Sequence, residues 1–209
     1  MPSRNIIKEY EPHAFYHVYN RGVEKRIVFE DDQDYMVFLG LLKKYLIGKS
    51  PQPANRHAFD DLSGGVQLVA YCLMPNHFHL LFYQLEEDAI TRLMRRVVTA
   101  YVMYFNLRYK RVGGLFQGRY KASPVTTEAY LYHITRYIHM NPADYLTWPY
   151  SSLECYIHDK KLEWLNPIHV LDSFNGDKRA YAEFIDDYRE NRFENSLLKH
   201  QLANCDELV

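Results

Sequence analysis

Two short motifs hold the residues with the most evident chemistry. His77-Phe78-His79 opens the run 77–83 (HFHLLFY). If this run is a strand, residues i and i+2 project to one face. The two imidazoles then stand side by side, and Phe78 packs on the opposite face. A rigid pair of imidazoles can hold a divalent metal ion. It can equally be a hydrogen-bonded structural pair, and the triplet alone does not decide. The second motif is Arg136-Tyr137-Ile138-His139-Met140-Asn141-Pro142. On a helix, Tyr137 and Asn141 are one turn apart and share a face, with His133 one turn earlier on the same stripe. With 19 tyrosines in the chain, periodicity alone also allows Tyr137 to be a rim residue of an amphipathic helix. The combination points further than either part. A phenol, a carboxamide and a histidine pair can supply a nucleophile, a third ligand and a metal site with positions left open for a phosphate oxygen.

The elements that must position these groups follow from patterning. Residues 14–20 (AFYHVYN) alternate aromatic and polar types and read as a strand. Asp31, Asp32 and Asp34 open a helix over 32–47, whose Tyr35, Phe38, Leu39, Leu42 and Leu46 follow helical spacing. Residues 48–65 are rich in Pro, Gly, Ser and Asp and read as a long loop. Strands at 66–73 and 77–83, joined by Met74-Pro75-Asn76, form a hairpin. A helix over 89–109 ends before Gly113-Gly114, and a short strand follows at 119–125. The next helix, 127–141, buries Leu131, Ile134 and Ile138 and stops at Pro142. Trp148-Pro149-Tyr150-Ser151-Ser152 reads as a loop, and tail helices are expected near 166–174 and 178–190. The order β-α-β-β-α-β-α predicts an α+β, ferredoxin-like antiparallel sheet with helices on one face and a C-terminal helical tail. The expected division is a domain at 1–156 and an acidic tail at 157–209.

The chain has 209 residues and a formal net charge of −1, which taken alone argues against a polyanion partner. The total conceals a division. Residues 89–127 contain Arg92, Arg95, Arg96, Arg108, Lys110, Arg111, Arg119 and Lys121 and no acid, while both flanking regions are acidic. That local excess fits a nucleic-acid contact surface. Cys72, Cys155 and Cys205 are far apart and form no C-x-x-C pair, so a disulfide framework or thiolate zinc site is not expected. No apolar run of ~18 residues is present and the N-terminus lacks a signal-peptide core, so a reducing cytoplasm is the expected compartment.

The string Leu73-Met74-Pro75-Asn76-His77-Phe78-His79-Leu80-Leu81, followed some sixty residues later by 136–142, resembles the single-tyrosine HUH transposases of bacterial insertion sequences. Within them it is most similar to the REP-associated tyrosine transposases. Gly114-Leu115-Phe116-Gln117-Gly118-Arg119-Tyr120-Lys121 and Trp148–Ser152 match further family stretches, so the resemblance covers about 12–156. It implies that His77, His79 and Asn141 bind Mg²⁺ or Mn²⁺. It also implies that Tyr137 attacks a phosphodiester of single-stranded DNA, leaving a 5′-phosphotyrosine link and a free 3′-hydroxyl. The implied partner is single-stranded DNA with a palindromic hairpin, bound by a monomer or homodimer near the bacterial nucleoid. Arg92, Arg95, Arg96, Arg119 and Lys121, with a second cluster of Arg21, Lys25 and Arg26, are the expected DNA-binding residues. Ionising a phenol of ordinary pKa near 10 at pH 7 costs about 4 kcal/mol, which a nearby cation offsets in part. A non-cutting hairpin-binding protein with the same fold is the alternative reading, and an intact His77, His79, Tyr137 and Asn141 set favours the enzyme. An HUH replication or conjugation nuclease fits less well, because no helicase or second catalytic tyrosine motif is present. Two departures stand out: the loop 48–65 is longer than the usual connection, and Ala143 follows Pro142 where Val is common.

Overall fold

A computed structural model describes residues 10–48, 62 and 64–190. Most of the loop expected at 48–65, the tail beyond 190 and Cys205 lie outside the described residues.

The chain runs β1 (Ala14–Arg21), α1 (Asp32–Ile47), β2 (Val66–Met74), β3 (His77–Gln84), α2 (Ala89–Arg108), β4 (Lys121–Val125), α3 (Glu128–His139), α4 (Leu153–Ile157), α5 (Ile168–Leu171) and α6 (Lys178–Glu190). The strands form one antiparallel sheet in the order β2-β3-β1-β4. This is the expected ferredoxin-like arrangement, with both central strands supplied by the first and third β segments. Local signals set the element ends. Asp31 caps α1 by accepting from Asp34 N, and Gly48 closes the helix in the left-handed region at φ 68°. Thr127 caps α3 by accepting from Tyr130 N.

The sheet is buried on both faces. On the face of Phe78, α1 and α2 pack through Phe38, Phe29 and Tyr101, with Phe38 5.2 Å from Phe78 between ring centroids. Those two helices share one face, as expected. α3 lies on the other, where Tyr137 meets the histidine rings. The expectation of helices on one face therefore holds for α1 and α2 and not for α3. The physical reason is that the second face also carries residues that are buried in the fold, Leu81 and Tyr19 beside the histidines, and needs cover.

The outer edge of β2 is closed by the segment that follows α3. Leu73 N donates to Tyr150 O, Ser152 N donates to Tyr71 O, and the Trp148 indole donates to Leu73 O. The WPYSS stretch is thus an edge cover tied to the sheet. Further on, Leu165, Val170, Tyr181 and Ile185 are buried in the same core. The Tyr181 phenol is 2.8 Å from His139 Nδ1, which joins α6 to the C-terminal end of α3.

Candidate active site

The hairpin β2-β3 delivers the histidine pair. Its turn is held from outside: Pro75 O accepts from both Val28 N and Phe29 N, and Asn76 O accepts from Gly22 N. His77 therefore starts β3 at a fixed place. Register then sets its neighbours. Arg21 lies opposite His77, and Tyr19 opposite His79, on β1. Because side chains alternate, His77, His79, His17, Tyr19 and Arg21 share one sheet face.

α3 brings the second motif to that face. Leu131, Ile134 and Ile138 are buried and fix the helix rotation, which turns Tyr137 toward the sheet. The Tyr137 ring centroid is 5.4 Å from His79 and 6.4 Å from His17, both edge-on. α3 ends at His139, one residue short of Met140 at the cap. Asn141 therefore sits on the turn beyond the helix, and still reaches His77: Asn141 Oδ1 is 3.0 Å from His77 Nε2. The other His77 nitrogen, Nδ1, is 2.6 Å from Asn76 Oδ1. His79 Nδ1 is 2.9 Å from His17 Nε2. His79 Nε2 is buried with no hydrogen-bond partner among the described residues.

Burial governs the electrostatics. It pushes the His77 pKa down to about 4, against the hydrogen bond to Asn141 and with help from the Arg21 charge. Burial holds His79 well below the ordinary imidazole value, and His17 and His77 push it the same way. His17 falls to about 3 through burial. All three rings are neutral at pH 7, the form in which imidazole is a ligand.

The donor set fits a divalent cation. Among the described residues no group of three or more His, Cys, Asp or Glu is arranged to hold a metal ion, and the Asn141 carboxamide is the oxygen donor that would join the histidine pair. His77 Nε2 and Asn141 Oδ1, 3.0 Å apart, have the spacing of adjacent ligands around an ion with bonds of about 2.1 Å. His79 Nε2, without a hydrogen-bond partner among the described residues, would be the remaining protein donor.

The expected DNA contacts divide. Arg21 is at the site, and Lys121, opposite Tyr19 on β4, is on the same face with Nζ 6.0 Å from the Tyr19 ring. Lys25, at the end of a short 3-10 helix, and Arg26 and Arg119, outside the regular elements, are exposed. Arg92, Arg95 and Arg96 are not brought to the histidines, since α2 lies across the sheet. Arg92 pairs with Glu86 at 2.8 Å, and Arg96 stands 5.9 Å from the Tyr45 ring. Arg108 bonds Asp31 and the buried Asp34. His133 bonds Arg136, and His139 is buried between Tyr181 and Ser152, so neither faces the pair. The sequence reading missed His17 and Asn76. The strand alternation of 14–20 already placed His17 with Tyr19 and Arg21, but its contact with His79 depends on cross-strand register.

Comparisons with known proteins concern the fold and the span of the two motifs. Residues 60–141 match the family model described as "Transposase IS200 like", a span that contains all four motif residues. Among solved structures, one described as "Structure of the REP associates tyrosine transposase bound to a REP hairpin" is similar at a TM-score of 0.52 and 15% identity, covering 74% of this chain and 85% of that chain. No curated protein matches by sequence.

Proposed function

We propose that this chain, similar over residues 60–141 to the IS200-like transposases and alike in fold to a REP-associated tyrosine transposase, cleaves and rejoins single-stranded hairpin DNA through Tyr137. The observation that carries the reading is the convergence of His77, His79, Asn141 and Tyr137 on one sheet face from motifs some sixty residues apart.

The Tyr137 oxygen attacks the phosphorus of a phosphodiester. The bond from phosphorus to the 3′ oxygen breaks, and the phenolic proton ends on that oxygen. The products are a 5′-phosphotyrosine and a free 3′-hydroxyl. One phosphodiester replaces another, so reversal by a different 3′-hydroxyl rejoins strands without an external energy source. His77, His79 and Asn141 would hold Mg²⁺ or Mn²⁺, which when bound polarises the phosphate and offsets developing negative charge. His17 and Asn76 orient the two imidazoles through their second nitrogens. Lys121, Lys25, Arg26 and Arg119 contribute phosphate contacts near the site. Arg95 and its neighbours on α2 would touch DNA away from the scissile bond.

The test is incubation with a labelled single-stranded hairpin and Mn²⁺, followed by denaturing electrophoresis. A covalent adduct is expected from the wild type and none from Tyr137→Phe. Hairpin binding without any adduct in the wild type would support a non-cutting binding protein instead.

A further inference from the structure

Arg21 ends β1 directly opposite His77. The residue is 7% exposed. Its Nε and Nη1 are buried without a hydrogen-bond partner, and it makes no ion pair among the described residues. The other inward arginines differ. Arg108 is matched by Asp31 and Asp34. Arg136 bonds His133 and Phe184 O and lies between the Phe184 and Tyr188 rings. A buried guanidinium with no counter-charge destabilises a fold.

The backbone that holds Arg21 is fixed on all sides. Arg21 N donates to Asn20 Oδ1 at 2.9 Å, and Arg21 O accepts from Gln117 N at 2.9 Å. The Asn20 amide in turn donates to Gly118 O at 3.0 Å. The next residue has to be Gly22, because a Cβ there would lie 2.3 Å from Arg26 O. Gly22 N donates to Asn76 O, the residue before His77. The chain thus holds a cation rigidly beside the histidine pair and leaves its Nε and Nη1 donors without an acceptor among the described residues. Charged N–H donors of a guanidinium suit the oxygens of a phosphate.

We infer that Arg21 binds the scissile phosphodiester itself, taking its non-bridging oxygens while Tyr137 approaches the phosphorus. This rests on the function proposed above and specifies which basic residue meets which phosphate. The exposed Lys25, Arg26 and Arg119 contact flanking phosphates only.

The experiment uses full-length Tyr137→Phe protein, which binds without turnover, and hairpin oligonucleotides each with one neutral methylphosphonate. With Arg21 present, neutralising the phosphate that the wild type cleaves is expected to weaken binding about tenfold or more. With Arg21→Met in addition, the same replacement is expected to change binding by less than about twofold, while neutralisation at flanking positions costs the same in both proteins. Arg21→Met is also expected to unfold at a higher temperature than its parent, because an unmatched buried charge is gone. Arg21→Lys, which keeps charge and loses the fork, is expected to fall between. Equal sensitivity at the scissile position in both proteins overturns the inference, as does a lower unfolding temperature of Arg21→Met, which would make Arg21 a structural residue. If the chain binds no hairpin, the proposed function fails, and titration with inorganic phosphate decides the site separately. A thermal shift in the Arg21 protein but not in Arg21→Met retains an anion site, and no shift in either removes it.

Discussion

His79 has distinct tasks for its two ring nitrogens. Nδ1 meets His17, and Nε2 is buried without a hydrogen-bond partner among the described residues. For Nε2 to offer a lone pair, Nδ1 must carry the proton and donate it to His17 Nε2, which fixes both tautomers. If His79 holds the metal as proposed, His17 positions it, and His17→Ala is expected to lower Mn²⁺ affinity about 10- to 100-fold. Titration calorimetry of the metal-free protein measures this, and unchanged affinity would remove His17 from the role. The His17 ring also stacks against Tyr19, at 4.9 Å between centroids, so the variant loses some packing, which a parallel urea melt separates from the metal effect.

Among elements, α3 and the α1-α2 pair are held by polar contacts buried in an otherwise apolar core. α3 is tied to α6 by the Tyr181–His139 hydrogen bond and by the Arg136 clamp. Tyr181→Phe leaves His139 Nδ1 buried without its partner and is expected to cost about 1–3 kcal/mol in urea unfolding. The α1-α2 contact centres on Asp34, a fully buried carboxylate that accepts from Glu30 N, Tyr104, Tyr109 and Arg108. Asp34→Asn removes the charge that matches Arg108 and is expected to destabilise by about 3–5 kcal/mol. A change below about 1 kcal/mol in the same urea assay would show that Asp31 alone satisfies the arginine. Both sets explain why basic residues of the 89–127 segment differ in use: Arg108 serves the fold, whereas Arg119 and Lys121 are at the site end of the sheet.

Over the whole molecule, a net charge of −1 coexists with a local basic surface, so hairpin affinity is expected to fall at least about tenfold between 50 and 200 mM salt. Fluorescence anisotropy checks this, and a salt-independent affinity would exclude phosphate contacts as its source. Acid stability follows from the buried imidazoles. His17 and His139 are held near 3 by burial, far below the unfolded value near 6.5. The unfolded chain binds more protons between those values. Stability is therefore complete above about pH 6.5 and is expected to fall steadily toward pH 3, by up to several kcal/mol in metal-free protein. Urea midpoints measured from pH 7.5 to 4 test the sign, and a flat profile would contradict neutral burial. Much of this was legible in the residues themselves. Alternation put His77 and His79 on one face, helical spacing put Leu131, Ile134 and Ile138 on the buried stripe of α3, and the element order gave the sheet, because each of these is a local, periodic property of the chain; Asn141, expected on that helix, lies beyond its end. Three features were not legible. His17 and Arg21 reach the histidines through strand register. The arginines of α2 are sent to the far face by the chain's crossover. WPYSS covers the sheet edge only where β2 leaves its backbone unpaired. The sequence by itself determined which residue types could perform phosphoryl transfer and the two motifs that carry them. Only the tertiary structure decided which cation stands unmatched beside them, since a charge's partner depends on distances between strands that no spacing along the chain encodes.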